Sequence, residues 1–197
     1  MKKVILLMMY ISLPLWAHEE HQHHHQDHDE MESAKAQTGM SLYQFDSKWI
    51  DKNGKEFELK SLKGEPRIVS MLYTRCLTAC PLLVNEVSEV IKKLPEAKKN
   101  ISVTLFSFDS EKETPETMKD FLKKRNLPEN WQVFKSDSST VAELAAALGV
   151  RYKKLKSGEY IHSNAIYLLN EKGEVIAQKE GLNTSNAEFV KAITKTR

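Results

Sequence analysis

The stretch Arg67-Ile68-Val69-Ser70-Met71-Leu72-Tyr73-Thr74-Arg75-Cys76-Leu77-Thr78-Ala79-Cys80-Pro81 runs from a mostly apolar segment into two cysteines and a proline. Arg67 to Tyr73 reads as a buried strand. Behind Pro81, residues Leu83, Val87, Val90, Ile91 and Leu94 recur at helical spacing, so a helix with one apolar face follows. Proline suits the first helical position, which would make Cys80 the N-cap. A helix N-terminus carries unpaired N–H groups and a partial positive charge, so this placement is expected to favour thiolate and lower the cysteine pKa. Thiolates are both redox-active and soft metal ligands, and the spacing alone leaves metal ligation and dithiol exchange open. A third reading, two inert core cysteines, fits less well with a strand-to-helix junction, where open α/β sheets keep their sites.

Outward from this junction, strands and helices alternate. Ile101 to Phe108 predicts a second buried strand. Thr114-Pro115 opens a helix with Met118, Phe121 and Leu122 inward, and Trp131 to Phe134 predicts a short strand. Thr140 with Glu143 has the pattern of a capping box, followed by Val141, Leu144, Ala145 and Leu148, with Gly149 ending the helix. Ala165 to Leu169 and Val175 to Gln178 predict two strands around a turn at Glu171-Lys172-Gly173. Ser185 with Glu188 would cap a last helix through Phe189, Val190 and Ile193. Upstream, Asn53-Gly54 between Trp49-Ile50 and Phe57-Leu59 predicts a hairpin. This order predicts an α/β sandwich of thioredoxin type: a central mixed β-sheet flanked by helices, with an N-terminal β-hairpin.

Cys76 and Cys80 are the only cysteines in 197 residues. They would close a loop too small to gain much chain entropy, so a chemical purpose fits them better than a structural one. His162 is the only histidine in the globular part, immediately before the strand beginning near Asn164. In a thioredoxin-like sandwich that loop returns to face the first strand-helix junction. Two thiolates and one imidazole would form a trigonal site suited to copper as Cu(I) or Cu(II).

The N-terminal 40 residues differ from the rest. Lys2 and Lys3 precede an apolar or uncharged run from Val4 to Trp16, and Ala17 offers a small residue for cleavage, the pattern of a secretory signal peptide. The run is short for a membrane span, and an uncleaved signal would act as an anchor. No cysteine stands near the cleavage point to accept a lipid. Residues 18–40 hold six of the seven histidines, His18, His21, His23, His24, His25 and His28, among six acidic residues. With no apolar periodicity, this tail is expected to be disordered without a ligand, and its imidazoles to bind Cu(II), Zn(II) or Ni(II) with little selectivity. The globular domain is expected over residues 41–197. The chain has 29 Lys and Arg against 27 Asp and Glu; cleavage would remove Lys2 and Lys3 and bring the charge near zero. No clustered basic excess suggests a nucleic-acid surface.

Tyr73 to Pro81 resembles the signature of the Sco/SenC copper chaperones. So do Ser107-Phe108-Asp109-Ser110-Glu111-Lys112-Glu113-Thr114-Pro115-Glu116 and the block of His162-Ser163, Ala165 to Leu169 and Gly173. The resemblance spans about residues 42 to 195. It implies a thioredoxin-like fold, copper held by Cys76, Cys80 and His162, and a role in assembling the Cu(A) centre of cytochrome c oxidase. Leu77 stands where members of that family often have proline. Ile161 stands where many have aspartate, so a carboxylate supporting the histidine would be missing.

Two functions remain in competition. One is a periplasmic or otherwise exported metallochaperone that hands copper to an apo-protein such as an oxidase subunit. The other is a thiol-disulfide oxidoreductase that reduces the cysteines of the target site. Thioredoxin-type reductases usually carry a cis-proline facing their cysteines; here no proline follows Pro128, and His162 occupies that region. The first reading is therefore favoured. A weaker third, copper detoxification or sensing, rests on the tail.

Overall fold

The computed structural model describes residues 31–77 and 79–196. The signal-peptide reading of residues 1–17 and all six tail histidines fall outside these residues.

A β-hairpin comes first, β1 (Lys48–Ile50) and β2 (Glu56–Glu58), paired antiparallel as the Asn53-Gly54 turn predicts. The main sheet follows. Its strands are β3 (Arg67–Leu72), β4 (Ser102–Ser107), β5 (Trp131–Phe134), β8 (Ala165–Leu169) and β9 (Val175–Glu180), in spatial order β5-β4-β3-β8-β9. β3, β4 and β5 run parallel, whereas β8 and β9 pair antiparallel. Every residue of β3 and β8 is buried, as expected for central strands covered on both faces. The helices are α1 (Ala79–Lys92), α2 (Pro115–Lys124), α3 (Ser138–Leu148) and α4 (Ala187–Lys195). This is the mixed α/β sandwich that the alternation of strands and helices predicts.

Local signals decide several boundaries. Thr114 caps α2 through a reciprocal pair with Thr117: Thr114 Oγ1 accepts from the Thr117 N–H at 3.2 Å, and Thr117 Oγ1 accepts from the Thr114 N–H at 2.9 Å. α3 is capped one turn earlier than the Thr140/Glu143 pattern suggests. Asp137 is its N-cap, and one carboxylate oxygen accepts from the N–H groups of Ser139 and Thr140, both at 2.9 Å. The Ser139 hydroxyl and the Thr140 backbone hold this carboxyl well below the usual carboxylate range. An ionised acceptor at the positive helix end outcompetes the hydroxyl of Thr140, which lies inside the helix. α4 likewise starts after Asn186 rather than Ser185. Gly149 ends α3 with φ +70°, as expected.

Two features were not foreseen. A small hairpin, β6 (Tyr152–Lys154) and β7 (Tyr160–His162), precedes β8 and pairs Tyr152 with His162. Residues 34–37, inside the stretch expected to be tail, lie against the domain: Ala36 is buried, and the Ala34 and Gln37 N–H groups donate to the Gly149 and Ala147 carbonyls.

Candidate metal centre

β3 ends at Leu72, and the chain turns so that the Cys76 N–H donates to the Tyr73 carbonyl at 3.2 Å. Cys80 lies in the first turn of α1, one residue inside the helix rather than at its N-cap. Proline is tolerated anywhere in this turn, since the first N–H groups lack helical partners. The Cys80 N–H donates instead to Cys76 Sγ at 3.4 Å. From the opposite side β7 ends on His162, whose Nε2 is 3.8 Å from Cys80 Sγ. The other ring nitrogen, Nδ1, is 3.0 Å from the Ser163 carbonyl. A carbonyl only accepts, so Nδ1 carries the hydrogen and Nε2 presents its lone pair to the sulfurs. Ser163 thus supplies the orientation that a carboxylate at position 161 would otherwise give.

The donor atoms of Cys76, Cys80 and His162 all lie within 4.8 Å of one another, and all three residues are buried. The cysteines are thiols, not a disulfide. Two sulfurs and an imidazole this close suit a soft or borderline metal ion, with small side-chain shifts to close the triangle. Aromatic rings wall the histidine: Phe108 at 4.8 Å between centroids and Tyr73 at 6.4 Å, with Tyr152 and Tyr160 packed behind Phe108.

Burial pushes the Cys80 thiol up, well above its ordinary value, and the neighbouring Cys76 adds to the shift. The lowering expected from the helix N-terminus is therefore overturned: desolvation of a fully enclosed sulfur outweighs the helix field. Burial also pushes the hydroxyls of Tyr73 and Tyr160 up to about 12. Both stay neutral near physiological pH, and neither offers an anionic ligand.

A second set of residues holds the cysteine loop in place, and sequence reasoning assigned it no role. Glu113, almost fully buried, accepts from the Thr74 hydroxyl at 2.5 Å, the Thr74 N–H at 3.2 Å, the Ser107 hydroxyl at 2.7 Å and the Thr117 hydroxyl. Asp109, equally buried, pairs with Arg75 and accepts from the Tyr160 hydroxyl at 3.4 Å. Two carboxylates after β4 thus fasten the residues just before Cys76 and reach the hairpin that carries His162. The spacing of Asp109 and Glu113 ahead of Thr114-Pro115 was visible, but the partners that tie them to the cysteine loop and the β6–β7 hairpin, Thr74, Arg75 and Tyr160, lie more than 30 residues away in the chain. Glu113→Ala would leave several buried donors without an acceptor. A loss of about 3 kcal/mol is expected, read as a fall in Tm of roughly 6–12 °C, with weaker metal uptake by the remaining folded protein. Thermal melts of wild-type and variant check this.

The fold and the centre together define a thioredoxin-like protein with a buried Cys/Cys/His cluster that could hold a metal ion. Comparison with known proteins makes the class specific. The SCO1/SenC family model matches residues 35–196, and the chain belongs to this family. It is 29% identical to the SCO1 protein homolog of Bacillus subtilis over 139 residues, covering 68% of this chain and 72% of that one. The copper-bound structure of ScoI from Bradyrhizobium japonicum superposes with a TM-score of 0.63 at 26% identity, covering 83% of this chain and 100% of that one. BsSco, described as a Sco-family cytochrome c oxidase assembly protein with a disulfide switch, gives a TM-score of 0.63 at 27% identity, covering 74% of this chain and 88% of that one.

Proposed function

We propose that this protein binds one copper ion through Cys76, Cys80 and His162 and hands it to a copper-requiring protein, the Cu(A) site of cytochrome c oxidase. Copper is cargo here, not a resident cofactor. The observation that carries the reading is the convergence of the three donors, with His162 oriented through Nδ1 so that Nε2 faces the sulfurs. The donor set fits: two sulfurs favour Cu(I), and the imidazole extends the site to Cu(II). A copper-bound Sco relative and the oxidase-assembly role given to BsSco support the cargo and its destination.

The surroundings suit a handover. Leu77, between the two cysteines, is 89% exposed, and Leu82 and Ile161, each next to or near a ligand in the chain, are also exposed. An acceptor covering this apolar rim would remove it from water while presenting its own ligands to the ion. The second reading, a thiol-disulfide reductase, is favoured by the adjacent thiols and by the disulfide switch given to BsSco. The two roles use the same cysteines and can alternate.

Export follows from the leader reading of residues 1–17, and places the protein in the periplasm or an equivalent compartment, or on the membrane if the leader is retained. Among the described residues no helix is long and apolar enough to cross a membrane. The histidine-rich stretch adds a weaker copper site. Mixing copper-loaded protein with a soluble apo-Cu(A) domain tests the central proposal. Appearance of the Cu(A) absorption is expected with wild-type and not with Cys80→Ser. Failure of the loaded wild-type protein to metallate a reduced acceptor would contradict delivery.

A further inference from the structure

The first residues of the parallel strands put a polar row on a face that is apolar further along. Arg67 starts β3 and pairs in register with Ser102 of β4, and Thr104 of β4 pairs with Gln132 of β5. Side chains alternate along a strand, so these four share one face of the sheet. At the next position along that face, Phe106 and Phe134 pack against Trp49 and Phe57 of the β1–β2 hairpin. Arg67, Ser102 and Gln132 instead line an open cavity of about 460 Å³, together with Lys63 from the segment before β3.

Arg67 is only 5% exposed, and a guanidinium keeps its charge at any physiological pH. Its Nη1 donates to the Thr104 hydroxyl and its Nη2 to the Leu62 carbonyl, both at 3.0 Å. Both acceptors are neutral. Nε is buried without a hydrogen-bond partner, and each terminal nitrogen keeps a second N–H. Tyr43 lies beside the guanidinium, but burial pushes its hydroxyl up, so it supplies no negative charge. Among the described residues no carboxylate pairs with Arg67 or with Lys63. Glu65, the one acid lining the cavity, is exposed and stands 3.5 Å from Ser102 Oγ. Buried charges are normally paired, and an unpaired one is costly.

We infer that this cavity binds a small oxyanion, a phosphate or carboxylate group, on the Arg67 guanidinium. The planar fork of a guanidinium matches two oxygens of either group, and the anion supplies the missing counter-charge. Lys63 adds a second positive charge from its exposed position, and the Ser102 hydroxyl and Gln132 amide add neutral donors. The site lies at the opposite end of β3 from the Cys/Cys/His centre. From Arg67 to Leu72 the strand advances about 3.3 Å per residue, and only then does the cysteine loop begin. The anion therefore touches none of the three metal ligands, and the inference stands apart from the copper reading above.

The test titrates inorganic phosphate and, separately, succinate into the full chain by calorimetry at pH 8, with ionic strength held constant by chloride. At this pH the histidines are neutral and do not attract anions. Saturable one-to-one binding of at least one anion is expected, with Kd below about 1 mM. Tighter binding of phosphate assigns a phosphoryl ligand, and tighter binding of succinate a carboxylate ligand. Arg67→Met keeps an apolar stem without the charge and should abolish binding. Lys63→Gln changes an exposed side chain, leaves folding alone, and should weaken binding about two- to fivefold. Circular dichroism of each variant verifies the fold, and the Lys63→Gln titration decides the matter if Arg67→Met does not fold. Saturable binding of neither anion up to about 20 mM would overturn the inference. Binding that both variants leave undiminished would overturn it as well, since the anion would then sit elsewhere.

Discussion

Replacing His162 with alanine is expected to abolish the Cu(II)-thiolate absorption of the centre, lower Cu(II) affinity by at least about 100-fold, and weaken Cu(I) binding less. Nε2 sits 3.8 Å from Cys80 Sγ and is the sole nitrogen donor in the cluster. Cu(I) is stable on two thiolates, whereas the harder Cu(II) needs the imidazole. Exchange between a dithiol and a target disulfide needs only the two sulfurs, so reduction of a model disulfide should stay nearly unchanged. Absorption titrations with both oxidation states, beside a reductase assay on the same samples, check the separation. In cells the variant should impair the dependent cuproenzyme. If it loses copper and still supports that enzyme fully, while Cys80→Ser does not, the reductase reading replaces the chaperone reading.

Oxidation of Cys76 and Cys80 to their disulfide is expected to lower copper affinity by more than about 100-fold, because two of three donors cease to be thiolates. The buried Cys80 thiol, raised above its ordinary value, keeps its proton at neutral pH in the metal-free protein. Copper must displace that proton. While the thiol remains protonated, affinity should therefore rise with pH, by up to about tenfold per unit between pH 6 and pH 8 for each proton released. For the same reason Cys80 should react slowly with iodoacetamide, since the thiolate is the nucleophile and the sulfur is enclosed. Competition titrations with a Cu(I) chelator, on reduced and cleanly oxidised protein across that pH range, measure both effects. Undiminished affinity in the oxidised form would contradict the ligand assignment.

The centre was legible because its chemistry is carried by rare residues: two cysteines at a strand-helix junction, and one histidine outside the N-terminal cluster. The sheet was legible from apolar runs such as Arg67 to Tyr73 and Ala165 to Leu169, which lie wholly within the core. What escaped the sequence depends on distant neighbours. The Cys80 thiol was read from its helix terminus, but enclosure by the rest of the fold reverses the shift. Asp109 and Glu113 look like surface acids before a helix, yet they are buried against Thr74, Arg75, Ser107 and Tyr160. The β6–β7 hairpin has two lysines in its first strand and none of the apolar alternation that marks a half-buried strand. In the run Asp137-Ser138-Ser139-Thr140 every residue is a competent cap, and only the folded backbone selects Asp137.

The most direct test of the central claim is X-ray absorption at the copper edge. The sample is the full chain with the six tail histidines replaced by glutamine, reduced and loaded with one equivalent of copper. The expected first shell has two sulfurs and one nitrogen, from Cys76, Cys80 and His162. A first shell without sulfur would contradict it.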